Sequence, residues 1–181
     1  MTNKVVGAGN QQERPNTDRV PESLGWYVTG FVDGEGSFNV SLRKKPDYRL
    51  GWQPVLSFNV SQRDITMLTI MKHFFGCGII KRRKDGLYSY DVTNPKAIKE
   101  KILPFFEKFS FLSNNKRTNF AIFSKIVLLM YDKEHLSPEG FKKLLELRRD
   151  LNKGKGRKRK YTYDSVKESS ETIRQTHNGK I

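Results

Sequence analysis

Apolar residues recur along this chain with two different spacings, and the switches between them divide it into elements. Leu24, Tyr27, Val28, Phe31 and Val32 recur at helical spacing behind Pro21-Glu22-Ser23. Proline in a first turn costs no hydrogen bond, and glutamate there suits the positive end of the helix dipole. The helix is expected to end near Asp33-Gly34. The period then drops to two. Phe38, Val40 and Leu42 alternate with Asn39, Ser41 and Arg43; past a turn region at Lys45-Pro46-Asp47, Leu56, Phe58 and Val60 alternate with Ser57, Asn59 and Ser61. Two strands, each with one apolar and one polar face, are predicted. Asp64 can cap a helix over 65–75, with Leu68, Met71 and Phe75 on one stripe and Gly76 or Gly78 ending it. A hairpin follows over 79–93, turning at Lys84-Asp85-Gly86, with Tyr88, Tyr90 and Val92 on its inner face.

The remainder reads as helices. Asn94-Pro95 opens one that carries Ile98, Ile102 and Phe105 and is bent or broken at Pro104. Phe120, Phe123, Val127 and Met130 mark a long helix over 115–131. Ser137-Pro138 caps another, with Phe141, Leu144, Leu145 and Leu151 inward. The order is helix, two strands, helix, two strands, then helices. The fold class is therefore α+β, with a four-stranded antiparallel sheet. Residues 1–20 lack periodicity and read as a flexible N-terminal arm, 21–152 as the folded domain, and 153–181 as a basic C-terminal tail. That tail opens with six cations in the eight residues 153–160. Such a run is either a solvated segment or an arm that touches phosphates.

Composition narrows the function. The 181 residues carry 34 Lys plus Arg against 19 Asp plus Glu, a formal charge of +15. That excess on a chain of one-domain length points to a polyanion, above all nucleic acid. One cysteine, Cys77, rules out an intrachain disulfide. No apolar run approaches the ~20 residues that cross a bilayer, and 1–20 does not read as a secretory signal. His73, His135 and His177 are too scattered for a metal cluster, and Cys77 reads as a packing thiol. The polar faces of the strands carry Asn39, Ser41, Arg43, Lys45, Gln53, Ser57, Asn59, Ser61, Lys81, Arg83, Ser89 and Asp91. These are base-edge donors and acceptors mixed with phosphate-binding cations, and a two-stranded ribbon fits the major groove. Trp52, at a strand start, is a further candidate contact, and Trp26 is a candidate for the core or for a dimer contact.

The first helix end holds the candidate chemistry. Gly30 and Gly34 lie four apart on one face, which lets a second backbone approach; each costs about 1 kcal/mol of helix propensity and so wants a packing reason. Asp33 and Glu35 sit at the negative end of the helix dipole, where carboxylates are disfavoured unless a cation is near. Mg²⁺ typically takes one or two carboxylates plus substrate phosphate oxygens. An EF-hand would need glycine where Phe38 stands, so that alternative fails.

Residues 28–36, V-T-G-F-V-D-G-E-G, resemble the LAGLIDADG motif of intron-encoded homing endonucleases, and the element order resembles that family's α-β-β-α-β-β-α core over residues 23–151. The resemblance implies a site-specific endonuclease that hydrolyses a phosphodiester in each strand of duplex DNA with Mg²⁺. One motif is found, which implies a homodimer on a pseudo-palindromic site, joined through Gly30, Gly34 and Tyr27. It implies Glu35 and the Gly34 carbonyl as metal ligands, Gln62 as a water-positioning residue and Lys116 as the basic catalytic residue. Lys116 lies two positions beyond Asn114, where the family pattern falls. A site position that is often arginine falls on Thr66, leaving Arg63 or Arg117 to compensate. Asp33 is expected to cap the helix pair or support the turn rather than bind metal. Kinship also implies a chloroplast or mitochondrial intron as the source. The competing readings are an RNA maturase that assists intron splicing and a non-catalytic nucleic-acid module.

Overall fold

The computed structural model describes residues 21–153, 160–161 and 164–166. The proposed arm over 1–20 and most of the tail lie outside the described residues. Helix α1 (Glu22–Glu35) runs directly into strand β1 (Gly36–Lys44), which pairs with β2 (Trp52–Gln62). Helix α2 (Thr66–Phe75), strand β3 (Ile79–Arg82) and strand β4 (Tyr88–Val92) follow. The sheet is antiparallel in the order β1-β2-β4-β3, so the two long strands lie side by side and β4 pairs with the end of β2 nearest α1.

Local chemistry sets the helix ends. The Asp64 carboxylate accepts from the Thr66 N–H at 2.7 Å, but α2 starts one residue later than expected, so Asp64 sits just before the N-cap position, Ile65; α2 stops at Gly76 in the left-handed region. The segment opened by Asn94-Pro95 comprises α3 (Pro95–Ala97), a wide π turn (Ile98–Ile102) and α4 (Leu103–Lys108). The predicted break is thus spread over the turn before Pro104, where the missing proline N–H leaves the ordinary ladder incomplete. Helix α5 (Asn114–Tyr131) begins one residue earlier than its periodicity suggests, because the Ser113 side chain caps it. Helix α6 (Pro138–Asp150) is capped by Ser137, whose Oγ accepts from the Gly140 N–H at 3.0 Å.

All the helices that contribute to the main core pack on one face of the sheet. Phe38 and Phe58 stack across β1 and β2 with centroids 5.4 Å apart, and Phe75, Phe105, Phe106, Phe111 and Phe123 close around them. A second, smaller core sits at the far end of the sheet, where Leu42, Leu50, Trp52, Phe141 and Leu145 enclose Val166. Tyr161 meets the Trp52 ring edge-on at 4.7 Å, so part of the predicted tail returns to the body. Trp52 is 3 % exposed. It is a core residue, correcting its candidacy as a surface contact: its even parity in β2 turns it inward.

β1 is an edge strand, and three of its carbonyls, toward the α1 end, are covered by side chains. Gly36 O accepts from Lys116, Phe38 O from Asn152 Nδ2 at 2.6 Å, and Val40 O from Arg148 Nε at 2.9 Å. An edge so occupied offers little template for another strand.

Candidate active site

Helix α1 presents two unlike faces. Gly25, Val28, Thr29 and Val32 are buried, and a Cβ at Gly25 would meet the Phe109 ring at 2.4 Å. Gly25 is therefore the glycine that the chain's own packing requires. The opposite face carries Tyr27, 60 % exposed, together with Gly30 and Gly34. A Cβ at either of those glycines would meet nothing within 4 Å. Their helix cost has no return inside the folded chain.

The two carboxylates at the end of α1 differ in their surroundings. Asp33 accepts from the Ser113 backbone N–H at 3.0 Å and from the Ser113 hydroxyl, tying α1 to the start of α5. Partial burial pushes its carboxyl up, but the Ser113 bonds, with help from the Lys116 charge and the Leu112 backbone, outweigh this and hold it below the usual aspartate range. Glu35 is exposed and accepts no hydrogen bond from the described residues. Beside it stands Lys116, half-buried, whose ammonium donates to the Gly36 carbonyl. Burial pushes the Lys116 amine below its ordinary value, and the charges of Asp33 and Glu35 partly restore it. Ser113 caps α5 so that Lys116 lies in its first turn, against the α1–β1 junction.

Gln62 ends β2, two residues past the Gly36–Val60 pair, so it lies at the same end of the sheet as Glu35. Its Oε1 accepts from the Arg63 N–H at 3.0 Å. Arg117 is bonded to Asn114 Oδ1, and Arg63 and Thr66 are exposed. Cys77 accepts at its carbonyl from the buried Tyr90 hydroxyl at 2.9 Å; burial pushes its thiol up, away from reactivity.

The register places the outer-face residues as the alternation predicts. Asn39 lies opposite Ser57, Arg43 opposite Gln53, Asn59 opposite Asp91 and Lys81 opposite Ser89, with Ser41 and Ser61 on the same face. Lys45 and Arg83 lie just past the ends of β1 and β3. The same parity adds Ser37, which lies ahead of the alternation read from Phe38, and Val55 and Ile79, which a search for polar residues passes over; Ile79 is 49 % exposed. Ser89 is buried, held with Asn59 and Asp91 in a hydrogen-bonded group. Among the described residues no three His, Cys, Asp or Glu side chains gather as a metal cage, and no helix is long and apolar enough to cross a membrane.

Comparison with known proteins matches this arrangement. The family model described as LAGLIDADG endonuclease matches residues 28–127. A probable intron-encoded endonuclease 2 of Neurospora crassa is 33 % identical over 144 residues, covering 77 % of this chain and 32 % of its own length. The DNA endonuclease I-CvuI of Chlorella vulgaris is 32 % identical over 45 % of this chain and 53 % of its own. The chain thus spans about a third of the Neurospora protein. Among solved structures, the archaeal intron-encoded homing endonuclease I-Vdi141I in complex with DNA superposes with a TM-score of 0.78 at 28 % identity, over 84 % of this chain and 97 % of that one. I-SmaMI bound to uncleaved DNA with calcium ions gives 0.68 at 38 % identity, over 72 % of this chain and 45 % of that one. By its motif helix, its sheet and these matches, the chain belongs to the LAGLIDADG endonuclease family.

Proposed function

We propose that this chain is a site-specific homing endonuclease that makes a double-strand break in a long pseudo-palindromic DNA target. It acts as a homodimer and depends on a divalent cation, Mg²⁺ in the first instance. The observation that carries the reading is the contrast at the end of α1: Asp33 is consumed by Ser113, whereas Glu35 is exposed, unbonded among the described residues and flanked by a half-buried lysine. A carboxylate that merely capped a turn would hold a donor, as Asp33 does. This favours catalysis over the non-catalytic module.

The donor set suits a hard cation. Glu35 offers a carboxylate, and Gly34 lies in the last turn of α1, whose carbonyls lack helical donors. Two protein oxygens with no surrounding cage match an ion that takes its other ligands from water and from a phosphodiester. Such an ion, when bound, supplies an acidified water and offsets charge on the leaving oxygen. Lys116 is held by Gly36 where its charge can face the cleaved phosphate, and Gln62 at the end of β2 orients the attacking water.

Assembly follows from Gly30 and Gly34, whose open faces suit close approach of an identical helix beside Tyr27. The coverage supports a paired unit, since the fold spans nearly all of I-Vdi141I but about half of I-SmaMI. Kinship with proteins named intron-encoded extends the proposal to an organellar intron as the source.

The test is Glu35→Gln. Losing the metal carboxylate removes several kcal/mol of transition-state stabilisation, roughly a hundredfold or more in rate. Duplex binding in Ca²⁺ should change by no more than a few-fold. Normal cutting by this variant with Mg²⁺ overturns the catalytic assignment. Tight binding of intron RNA with no cutting of a randomised duplex library would favour the maturase reading.

A further inference from the structure

The centre of the sheet's outer face holds one hydrogen-bonded group with a directional character. Asn59 Nδ2 donates to Ser89 Oγ at 2.7 Å and to Asp91 Oδ1 at 2.6 Å. The Ser89 hydroxyl donates to Asp91 Oδ2 at 2.8 Å, and the Ser61 hydroxyl donates to Asn59 Oδ1 at 3.3 Å. A carboxylate only accepts, so the group facing Asp91 must be the Asn59 amide nitrogen, which fixes the orientation of that side chain. Both amide protons and both hydroxyl protons are then spent inside the group. What remains for a partner is acceptor capacity alone: the further lone pairs of Asp91, and those of Asn59 Oδ1 and the Ser61 oxygen.

An all-acceptor patch carrying a negative charge, on a chain of +15, does not suit phosphate. It suits a donor. In the major groove only cytosine N4 and adenine N6 present donors; guanine and thymine present acceptors there. We infer that Asn59, Ser61, Ser89 and Asp91 form a preset reader of one exocyclic amino group, selecting which strand carries the amino base, cytosine or adenine, at one position of each half-site. Asp91 accepts the amino proton, and Ser89 and Asn59 hold its carboxylate in place as positioning residues. Asn59 lies opposite Ser37, two residues or roughly 7 Å of strand from Glu35. The selected base pair therefore belongs to the inner part of each half-site, close to the cut, whereas Arg43 and Gln53 face outer positions. The inference rests on the reading of the outer face as a DNA surface, and it names what one part of that surface selects.

The experiment is selection of bound duplexes from a randomised library in Ca²⁺, with the intact wild-type chain and with Asp91→Asn and Ser89→Ala, sequencing the retained DNA. Cleavage in Mg²⁺ is scored separately. The wild type should show cytosine or adenine on the same strand of each half-site at one inner position, the two positions being related by the two-fold axis. Asp91→Asn replaces one carboxylate oxygen by an amino donor, so that position alone should lose its strand preference or move to guanine or thymine on that strand. Affinity for the wild-type site should fall roughly 5- to 150-fold, the worth of one good base contact. Ser89→Ala should relax the same position without changing the others; its melting temperature and that of Asp91→Asn report whether the fold survives. An unchanged profile in a folded Asp91→Asn protein, or a wild type that shows no base preference at any inner position, overturns the inference and leaves the endonuclease reading intact. Failure of the wild type to retain any duplex overturns both.

Discussion

At the scale of single residues, neighbouring carboxylates take different roles because one has donors and the other does not. Asp33 binds Ser113 with both oxygens and so joins α1 to α5, 80 residues away. Its carboxyl is held below the ordinary value of 3.8 in the folded chain. A depressed folded value contributes stability that is fully present above the unfolded value and is lost as pH falls through the folded one. The Asp33→Asn variant should therefore melt below the wild type at pH 7. The gap should narrow as pH drops below the ordinary aspartate value of 3.8 and close once pH falls below the depressed folded value. Thermal melts of the two proteins across that range check it; a gap independent of pH would show that Asp33 acts by shape alone. Glu35, lacking such donors, is expected to leave stability almost unchanged when replaced by glutamine while abolishing cleavage, the opposite signature from Asp33.

At the scale of elements, the glycines of α1 divide by what stands against them. Replacing Gly25 with leucine drives side-chain atoms into Phe109 and should destabilise the chain by several kcal/mol, at the upper end for overpacked cores. Gly30→Leu meets open space within the chain, so the fold should persist; if the proposed homodimer forms through α1, sedimentation should shift from twice the chain mass to one. A Gly30→Leu protein that still sediments as a dimer removes Gly30 from the interface. A second contrast lies at the sheet edge, where Asn152 has a φ of 53° and donates to Phe38 O while its N–H donates to Asn119 Oδ1 at 2.6 Å. Asn152→Ala loses the edge bond and keeps a Cβ in the left-handed region, costing about 2 kcal/mol in chemical denaturation; Asn152→Gly loses only the bond and should cost less. The periodicities that located these helices and strands were legible because each is local: alternation in β1 and β2, caps at Asp64 and Ser137, and Asp-Gly in the hairpin. The edge covering by Lys116, Arg148 and Asn152 was not legible, since it joins residues 80 to 114 apart in sequence.

At the scale of the whole molecule, the same division holds for the site. The short motif marks the α1 end, while Gln62 and Lys116 were reached only through the resemblance; the structure brings Lys116 to the Gly36 carbonyl at that junction and Gln62 to the same end of the sheet. The inward use of every donor in the Asn59 group was invisible, since alternation gives the face of a side chain and not its partners across β2 and β4. Assembly is the last step, and it makes a claim that neither residue nor element can test alone. If two chains meet through α1, each Glu35 lies beside one strand of a two-fold DNA site, and the cuts are separable. Wild type mixed in equal amounts with Glu35→Gln and allowed to exchange gives mixed dimers as about half of the population by random pairing. These hold one competent centre, so a supercoiled plasmid carrying the target should accumulate nicked circles, whereas wild type alone should carry most plasmid through to linear. The variant alone should yield neither. A mixture that produces only linear plasmid, at half the wild-type rate and without excess nicking, would mean that both cuts arise within one chain or at one shared centre. The outward glycines of α1 would then need a different explanation.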